Sequence, residues 1–427
     1  MIAKGVSVVR ELVRRLFQKS AEMNWALADQ AMVSAVNFLT GIIVARYLGV
    51  ADYGRFVLAW MAVVFFASLQ QSGVIAPMMS AGPRRAASEQ AEFYGSIVFH
   101  HVAWCLLSIG LLLAAFELAS DLWLDVSLGS LRAPLTCAMV AYLTQDFIRR
   151  YLFVTRNGRL AFLNDAISYL GQAIILMGLS RYFNLDTATV LWVIALTSFM
   201  AVSVAAVHLS NLKFSIRAAC SLARANWKFA KWLTGAALVQ WASSNLLIIA
   251  LGTAVGPAAV GALRAAQNVM GVTHILFLGL ENVIPSGAAK AYCRNGSSGL
   301  SRYILHSLAA CGGLTFVFCI AVAANPGVLL SWVFGAEFEQ YGYILLWYIP
   351  VYLAVSVGLP IRSGLRALNE TKSIFLSNSI AAFMALVSAD YLIEAYGITG
   401  VMIGLLAIQL TIQIITAAAL RRLLRKC

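Results

Sequence analysis

Apolar runs long enough to cross a lipid bilayer recur along the whole chain. In four of them charged residues are absent or confined to a short junction: Leu39 to Leu69, Ile97 to Phe116, Leu191 to Leu209 and Val401 to Leu420. A helix rises about 1.5 Å per residue, so that roughly 18 apolar residues span the hydrocarbon core. The chain is therefore predicted to be all-α, a polytopic membrane protein.

The composition agrees with this class. Hydrophobic residues make up 61% of the chain and charged residues only 11%, whereas soluble globular proteins carry about 25% charged residues. The net charge is +13, but the basic residues lie between the apolar runs, where they set membrane orientation. Nucleic-acid binding is therefore not expected. The seven cysteines are scattered and form neither a disulfide framework nor a zinc motif.

Charged junctions and junctions rich in Gly, Pro or Asn divide the chain into about twelve predicted spans in two six-helix lobes. The spans are residues 25–48, 55–80, 93–116, 133–154, 160–180, 189–209, 230–252, 258–283, 300–323, 342–364, 374–394 and 398–420. The predicted domains are an amphipathic N-terminal segment 1–24, an N-terminal lobe 25–209, a basic linker 210–229, a C-terminal lobe 230–420 and a basic tail 421–427. Short connections leave no room for a soluble catalytic module.

The Lys and Arg residues predict the orientation. With the N-terminus in the cytoplasm, all but five of the 31 fall in inner junctions; the exceptions are Arg46, Arg55, Arg132, Arg181 and Arg264. The positive-inside rule then places both termini, the linker and the tail in the cytoplasm. The segment 1–24 fits a helix lying on anionic lipid, although a basic retention signal explains it equally well.

A weak internal repeat relates the two halves. Each half has an Asn in one helix, two glycines five residues apart at the turn, and an Arg entering the next helix. The pairs are Asn37 with Asn245, Gly49 with Gly256, Gly54 with Gly261 and Arg55 with Arg264. Transporters often place their substrate path at the interface of such repeats.

Ionisable residues inside the spans mark the candidate sites, because a charge at mid-bilayer costs roughly 2.5–3.5 kcal/mol on insertion scales. They are Asp29, Arg55, His100, His101, Asp146, Arg149, Arg150, Asp165, Arg264, His274, Glu281 and Asp390. The predicted substrate-binding residues are Arg55, Arg264, His274, Glu281, Asp146, Arg149 and Arg150. The ion-coupling candidates are Asp29, Asp146 and Glu281. No metal site is expected, since His100 and His101 lack ligand partners.

Each group has an alternative interpretation. Arg264, His274 and Glu281 follow one another down the eighth span and fit an aqueous cavity, but Arg264 and Glu281 could instead snorkel to opposite interfaces. Asp146 and its two arginines, at i+3 and i+4, are expected to pair with each other. They form either an anion site at the inner mouth or a structural ion-pair cluster. Asp29 is either an ion or proton site or the cap of an interfacial helix start.

Three stretches resemble one family. Residues 37–56 (NFLTGIIVARYLGVADYGRF) resemble the opening hairpin of the polysaccharide transporters, the oligosaccharide-lipid flippases of the multidrug/oligosaccharidyl-lipid/polysaccharide exporter (MOP) superfamily. Residues 145–153 (QDFIRRYLF) and 157–165 (NGRLAFLND) resemble their fourth-to-fifth helix turn. Residues 366–372 (RALNETK) are similar to the turn after their tenth helix.

The resemblance implies a two-lobed, V-shaped bundle enclosing a basic cavity. It also implies the transfer of undecaprenyl-diphosphate-linked sugars from the inner to the outer leaflet of the bacterial inner membrane. Lipid II flippases of this superfamily line the cavity with arginines of the first, second and eighth helices and an acidic residue of the first. Asp29, Arg55 and Arg264 lie at comparable places, but no arginine is evident beside Asp29 in the sequence.

The expected function is therefore flipping of a polyprenyl-diphosphate-linked oligosaccharide by alternating access. Unpaired charge does not cross hydrocarbon unaided, so arginines would hold the diphosphate and aromatics such as Trp232, Trp241 and Tyr348 the sugars. The expected partners are the lipid-linked oligosaccharide, membrane lipids, H⁺ or Na⁺ as coupling ion, a polysaccharide polymerase and a chain-length regulator. No cofactor is expected.

Other classes of protein stay open at this point. A multidrug or metabolite cation antiporter of the same superfamily is the nearest alternative. A membrane-embedded polymerase or glycosyltransferase is another, although Walker, GxGxxG, HExxH and Ser/His/Asp motifs are all missing and an enzyme is not expected. A receptor or scaffold is the third.

Overall fold

The computed structural model describes the backbone of residues 2–122, 126–209, 212–368, 370 and 372–426. Side chains are described for residues 24–86, 88–118, 129–207, 209, 212–227, 230–273, 284–368, 370 and 372–425. The side chains of the predicted segment 1–24, except that of residue 24, thus lie outside the described residues.

No strand occurs in the described part of the chain. The helices are α1 (Ile2–Gln70), α2 (Ala76–Ala81), α3 (Ala87–Leu122), α4 (Arg132–Val154), α5 (Gly158–Asp165), α6 (Gly171–Leu179), α7 (Thr187–Ala205), α8 (Ile216–Ala254), α9 (Pro257–Met270), α10 (Val272–Ala324), α11 (Pro326–Phe334), α12 (Gly342–Ala367) and α13 (Lys372–Lys426). Wider π-helical turns at Gln71–Ile75 and Ala166–Leu170 connect α1 with α2 and α5 with α6.

Three of the long helices contain a break in their backbone. Gly49 in α1 has φ 74°, Gly296 in α10 has φ 58° and Gly397 in α13 has φ 55°. Gly256, immediately before α9, has φ 111°. Glycine reaches this region of φ because it has no Cβ. Each break separates two spans that the apolar pattern also separates.

The helices form a membrane protein. Eight stretches of the described helices are long and apolar enough to cross a bilayer, and two of those with an internal break are 61 and 54 residues long, enough for two crossings each. Leu106, Phe199 and Phe383 are 64–66% exposed, as expected of side chains that face lipid. The predicted all-α, polytopic class with about twelve membrane helices is confirmed.

The chain divides into two compact units. Unit 1 consists of Met1–Thr40 and Ala62–Ala237, and unit 2 of Gly41–Met61 and Leu238–Cys427. The segment around the first turn at Gly49 therefore packs with C-terminal residues. The lobes 25–209 and 230–420 stay a prediction.

One central helix organises each unit. In unit 1, α4 contacts α2, α3, α5 and α7, and its Phe147 and Leu152 pack in a core with Ile75 and Met78. In unit 2, α12 contacts α9, α10, α11 and α13. These helices are the fourth and tenth predicted spans, which the internal repeat makes equivalent. Side chains on α4 and α12 are consequently well placed to meet residues of several other helices.

A reciprocal glycine contact joins the two turns of the repeat inside unit 2. A Cβ atom on Gly54 would lie 1.8 Å from the backbone oxygen of Pro257, and one on Gly261 would lie 2.1 Å from the backbone oxygen of Val50. Each glycine thus meets the residue that follows the first glycine of the other turn. The repeat visible in the sequence has a direct counterpart in the packing.

Candidate functional site

Arg149 on α4 is the centre of a buried charge cluster in unit 1. Its Nη2 donates to Asp29 Oδ2 over 2.7 Å, and its Nε lies 2.6 Å from Asp165 Oδ2. The second contact is a close approach of opposite charges and not an aligned hydrogen bond. The side chains of Asp29 and Asp165 are 1% and 0% exposed. Two buried carboxylates therefore share one guanidinium.

Asp146 and Arg150 extend this group along α4. Asp146 Oδ1 lies 3.4 Å from Arg150 Nε and 4.0 Å from Arg149 Nη1, so the predicted pairing within α4 is present. We call Asp29, Asp146, Arg149, Arg150 and Asp165 the Arg149 cluster. With every group ionised it contains three carboxylates and two guanidiniums, a surplus of one negative charge.

Neighbouring amides hold the Asp165 carboxylate in place. Gln145 Nε2 donates to Asp165 Oδ1 over 2.7 Å and to Asn164 Oδ1 over 3.0 Å. Asn164 Nδ2 in turn donates to the Ala201 carbonyl on α7 over 2.8 Å. By contrast, Asp29 Oδ1 is buried and has no hydrogen-bond partner among the described residues. Asp29 thus has one oxygen bonded to Arg149 and one without a described hydrogen bond.

Arg264 on α9 is the centre of a second polar group, in unit 2. It is partly buried, and its Nη1 donates to Gln267 Oε1 over 2.6 Å. Tyr53, Tyr348 and Tyr352, which are 2–4% exposed, belong to helices that pack against α9. These tyrosines come from α1 and α12, so three helices build the group.

Two donors of this group have no hydrogen-bond partner among the described residues. The Tyr348 hydroxyl and Asn268 Nδ2, one turn beyond Arg264, are buried without a hydrogen-bond partner in the described part of the chain. Arg264 itself forms no ion pair with a described carboxylate. We call Tyr53, Arg264, Gln267, Asn268, Tyr348 and Tyr352 the Arg264 cluster. Such a set of donors suits an anionic ligand.

The predicted site residues are thus divided between the units. Asp146, Arg149 and Arg150 lie in unit 1 and Arg55 and Arg264 in unit 2. Arg55 is 45% exposed and pairs with Asp52, three residues before it. The side chains of His274 and Glu281, which belong to α10, lie outside the described residues.

Sequence reasoning left some members of both clusters out. Asp165 was recognised as an ionisable residue within a span, but it was not assigned to the predicted site. Tyr348 was expected to contact sugars; it is buried on α12, a helix that contacts α9. Trp232, expected to do the same, is 76% exposed and stacks with Lys231.

Comparison with solved structures identifies the fold. No protein-family model and no curated protein sequence matches the chain. An inward-facing multidrug-resistance MATE family transporter of the MOP superfamily is 14% identical, with a TM-score of 0.68 over 92% of this chain and 96% of that chain. The lipid II flippase MurJ is 12% identical, with a TM-score of 0.68 over 93% and 87%.

A MOP superfamily transporter from Pyrococcus furiosus is also similar, with 14% identity and a TM-score of 0.62 over 96% of this chain and 95% of that chain. At such identities the likeness is one of fold. The chain shares the fold of these three transporters, in agreement with its resemblance to the polysaccharide transporters.

Proposed function

We propose that the protein is a flippase for a polyprenyl-diphosphate-linked oligosaccharide. It moves this unit by alternating access from the inner to the outer leaflet of the bacterial inner membrane, for surface polysaccharide synthesis, and both of its termini are cytoplasmic. The multi-pass helical fold shared with transporters, one of them named a lipid II flippase, supports transport as the class of function.

The Arg264 cluster is the observation that carries this proposal. A diphosphate that leaves water needs compensating charge and hydrogen bonds, because an unpaired anion in an apolar medium is very costly. Arg264 offers a guanidinium without a described carboxylate partner, and the Tyr348 hydroxyl and Asn268 Nδ2 have no hydrogen-bond partner among the described residues. Guanidinium forms strong paired hydrogen bonds with phosphate oxygens. We therefore assign the diphosphate to this cluster.

Replacing Arg264 by alanine tests the assignment. Loss of a charge-assisted contact costs about 1.5–3 kcal/mol, so we expect translocation to fall roughly 10- to 100-fold. The measurement is transfer of a labelled polyprenyl-diphosphate oligosaccharide across reconstituted vesicles. Translocation by Arg264→Lys, which keeps the charge but not the paired hydrogen-bond geometry, should lie between that of the wild type and that of Arg264→Ala.

Arg132→Ala is the matched control for this experiment. Arg132 is 42% exposed and pairs with Glu117, which is 68% exposed, and such surface pairs contribute little. Its translocation should equal that of the wild type. Unchanged transport by Arg264→Ala, with normal membrane insertion, would remove Arg264 from the site.

The Arg149 cluster is proposed to couple transport to an ion gradient. Its surplus of one carboxylate is balanced when a single H⁺ or Na⁺ binds, and Asp29 Oδ1 is the open position for it. A coupling ion shifts a conformational equilibrium only by binding one state better than the other. The buried Asp29–Arg149–Asp165 group joins α1, α4 and α5. If these helices separate in one conformational state, the affinity of the group for the ion differs between the two states.

Asp29→Asn tests the coupling. The variant removes the surplus charge and the proposed ion position, so that its transport should no longer respond to an imposed proton or sodium gradient. Wild-type transport should change when the coupling gradient is collapsed with an ionophore. A wild-type protein that transports at the same rate without either gradient would contradict the coupling and leave the Arg264 assignment intact.

A cation antiporter is the second candidate, favoured by the negative surplus of the Arg149 cluster. Its substrate would be a cationic amphiphile that exchanges for H⁺ or Na⁺. Gradient-driven export of a cationic dye that is insensitive to Arg264→Ala, together with no movement of the lipid-linked sugar, would favour this candidate over the flippase.

A further inference from the structure

An open cavity of about 630 Å³ lies in unit 2, where the break in α10 meets the end of α13. Its lining residues are Asn295, Gly296, Ser297, Ser298, Ser301, Arg421, Leu424 and Arg425. Two arginines and three serines stand in this lining, and no carboxylate is among these eight residues. None of them belongs to the Arg149 or the Arg264 cluster.

Arg421 and Arg425 give the cavity its charge. They are four residues apart on α13 and so lie on the same face, where two like charges repel each other. Neither forms an ion pair with a carboxylate in the described part of the chain. An anion between them would relieve this repulsion.

The opposite wall offers hydrogen-bond donors. Asn295 and Gly296 are not helical, and the helical backbone resumes at Ser297 and continues to Ala324. The first N–H groups of a helix have no acceptor within it and attract anions. Ser297 Oγ is buried and has no hydrogen-bond partner among the described residues. Ser298 Oγ donates to the Asn295 carbonyl and closes the turn.

We infer that this cavity binds a phosphate group, carried by an anionic lipid headgroup or by a soluble phosphate compound. Guanidinium forks match the oxygens of phosphate, and a hydroxyl and backbone N–H groups opposite them complete its coordination. The volume accommodates a phosphate together with its substituent. Both walls belong to junctions that the positive-inside rule places in the cytoplasm, and the site does not depend on the proposed transport.

Binding to the full-length protein in phosphatidylcholine nanodiscs tests the site. The two probes are spin-labelled phosphatidylglycerol and inorganic pyrophosphate. We expect Arg421→Gln/Arg425→Gln to weaken binding of the phosphate-bearing probe by about tenfold or more, since two charged contacts are lost. Arg422→Gln is the matched control, because Arg422 is an exposed neighbour that does not line the cavity. It should bind within about twofold of the wild type.

The two probes distinguish the sources of the phosphate. Phosphatidylglycerol binding that persists in saturating pyrophosphate assigns the site to a lipid headgroup, whereas displacement by pyrophosphate assigns it to a soluble phosphate compound. Ser297→Ala leaves every charge in place and should still weaken binding a few-fold. Equal binding of both probes by the wild type and the double arginine variant, at equal melting temperatures, overturns the site.

Discussion

Arg149→Leu is expected to lower the free energy of unfolding by about 3–5 kcal/mol, the usual effect of removing one partner from a buried ion pair. Asp29 and Asp165 would keep their buried positions, 1% and 0% exposed, without the guanidinium that both contact. Denaturant unfolding in detergent micelles measures the loss. Much of it should be recovered in Asp29→Asn/Arg149→Leu/Asp165→Asn, which leaves no charge uncompensated at the centre.

Arg150→Leu is the control for this prediction. Arg150 is on the same helix, one residue further, but it is 35% exposed and its described ion pair is with Asp146 alone. Its replacement should lower the free energy of unfolding by less than about 1 kcal/mol, as for other partly exposed ion pairs. Equal losses for Arg149→Leu and Arg150→Leu would mean that burial of the carboxylates does not determine the effect.

Gly54→Ala is expected to destabilise the protein by about 1–3 kcal/mol or more, and to impair transport with it. The new Cβ atom would stand 1.8 Å from the Pro257 carbonyl oxygen. Because that oxygen belongs to the backbone, it cannot rotate aside as a side chain would, and the two turns must move apart. The melting temperature in detergent and the vesicle transport assay measure the two effects.

Gly110→Ala is the matched control, since the same methyl group on α3 would meet no atom within 4 Å. Replacing an unconstrained helical glycine by alanine is neutral or stabilising by about 0.5–1 kcal/mol. Gly261→Ala should behave as Gly54→Ala does, because its Cβ atom meets the Val50 carbonyl oxygen. Equal melting temperatures of Gly54→Ala and Gly110→Ala would show that the two turns move apart with little loss of stability.

Local patterns in the sequence were sufficient for much of the fold. Hydropathy separated the spans, and the internal repeat placed the glycines at positions 49 and 256 at turns. Helix ends do not follow from the predicted spans: α13 continues to Lys426, whereas the last predicted span ends at residue 420. Arg and Lys end an apolar run but are good helix formers, so the helix continues past the hydrocarbon layer.

The clusters were only partly predictable, because their partners are distant in sequence. Asp146 and Arg150 are four residues apart, and helical spacing alone predicts their pairing. Asp29 and Arg149 are 120 residues apart, and no periodicity indicates that they meet. The same limit applies to residues 41–61, whose hydropathy predicts spans but not the unit with which they pack.

The Arg149 guanidinium is a permanent positive charge, and this has a consequence for the protein after its substrate has left. After it releases its substrate, an ion-coupled transporter must return to its starting conformation. Unpaired carboxylates in the apolar interior oppose this return. In this structure Arg149 lies between Asp29 and Asp165, so that one uncompensated charge remains there instead of two. Under the proposed ion coupling, this smaller surplus charge eases the return of the empty protein, a step that net one-way delivery of a substrate requires.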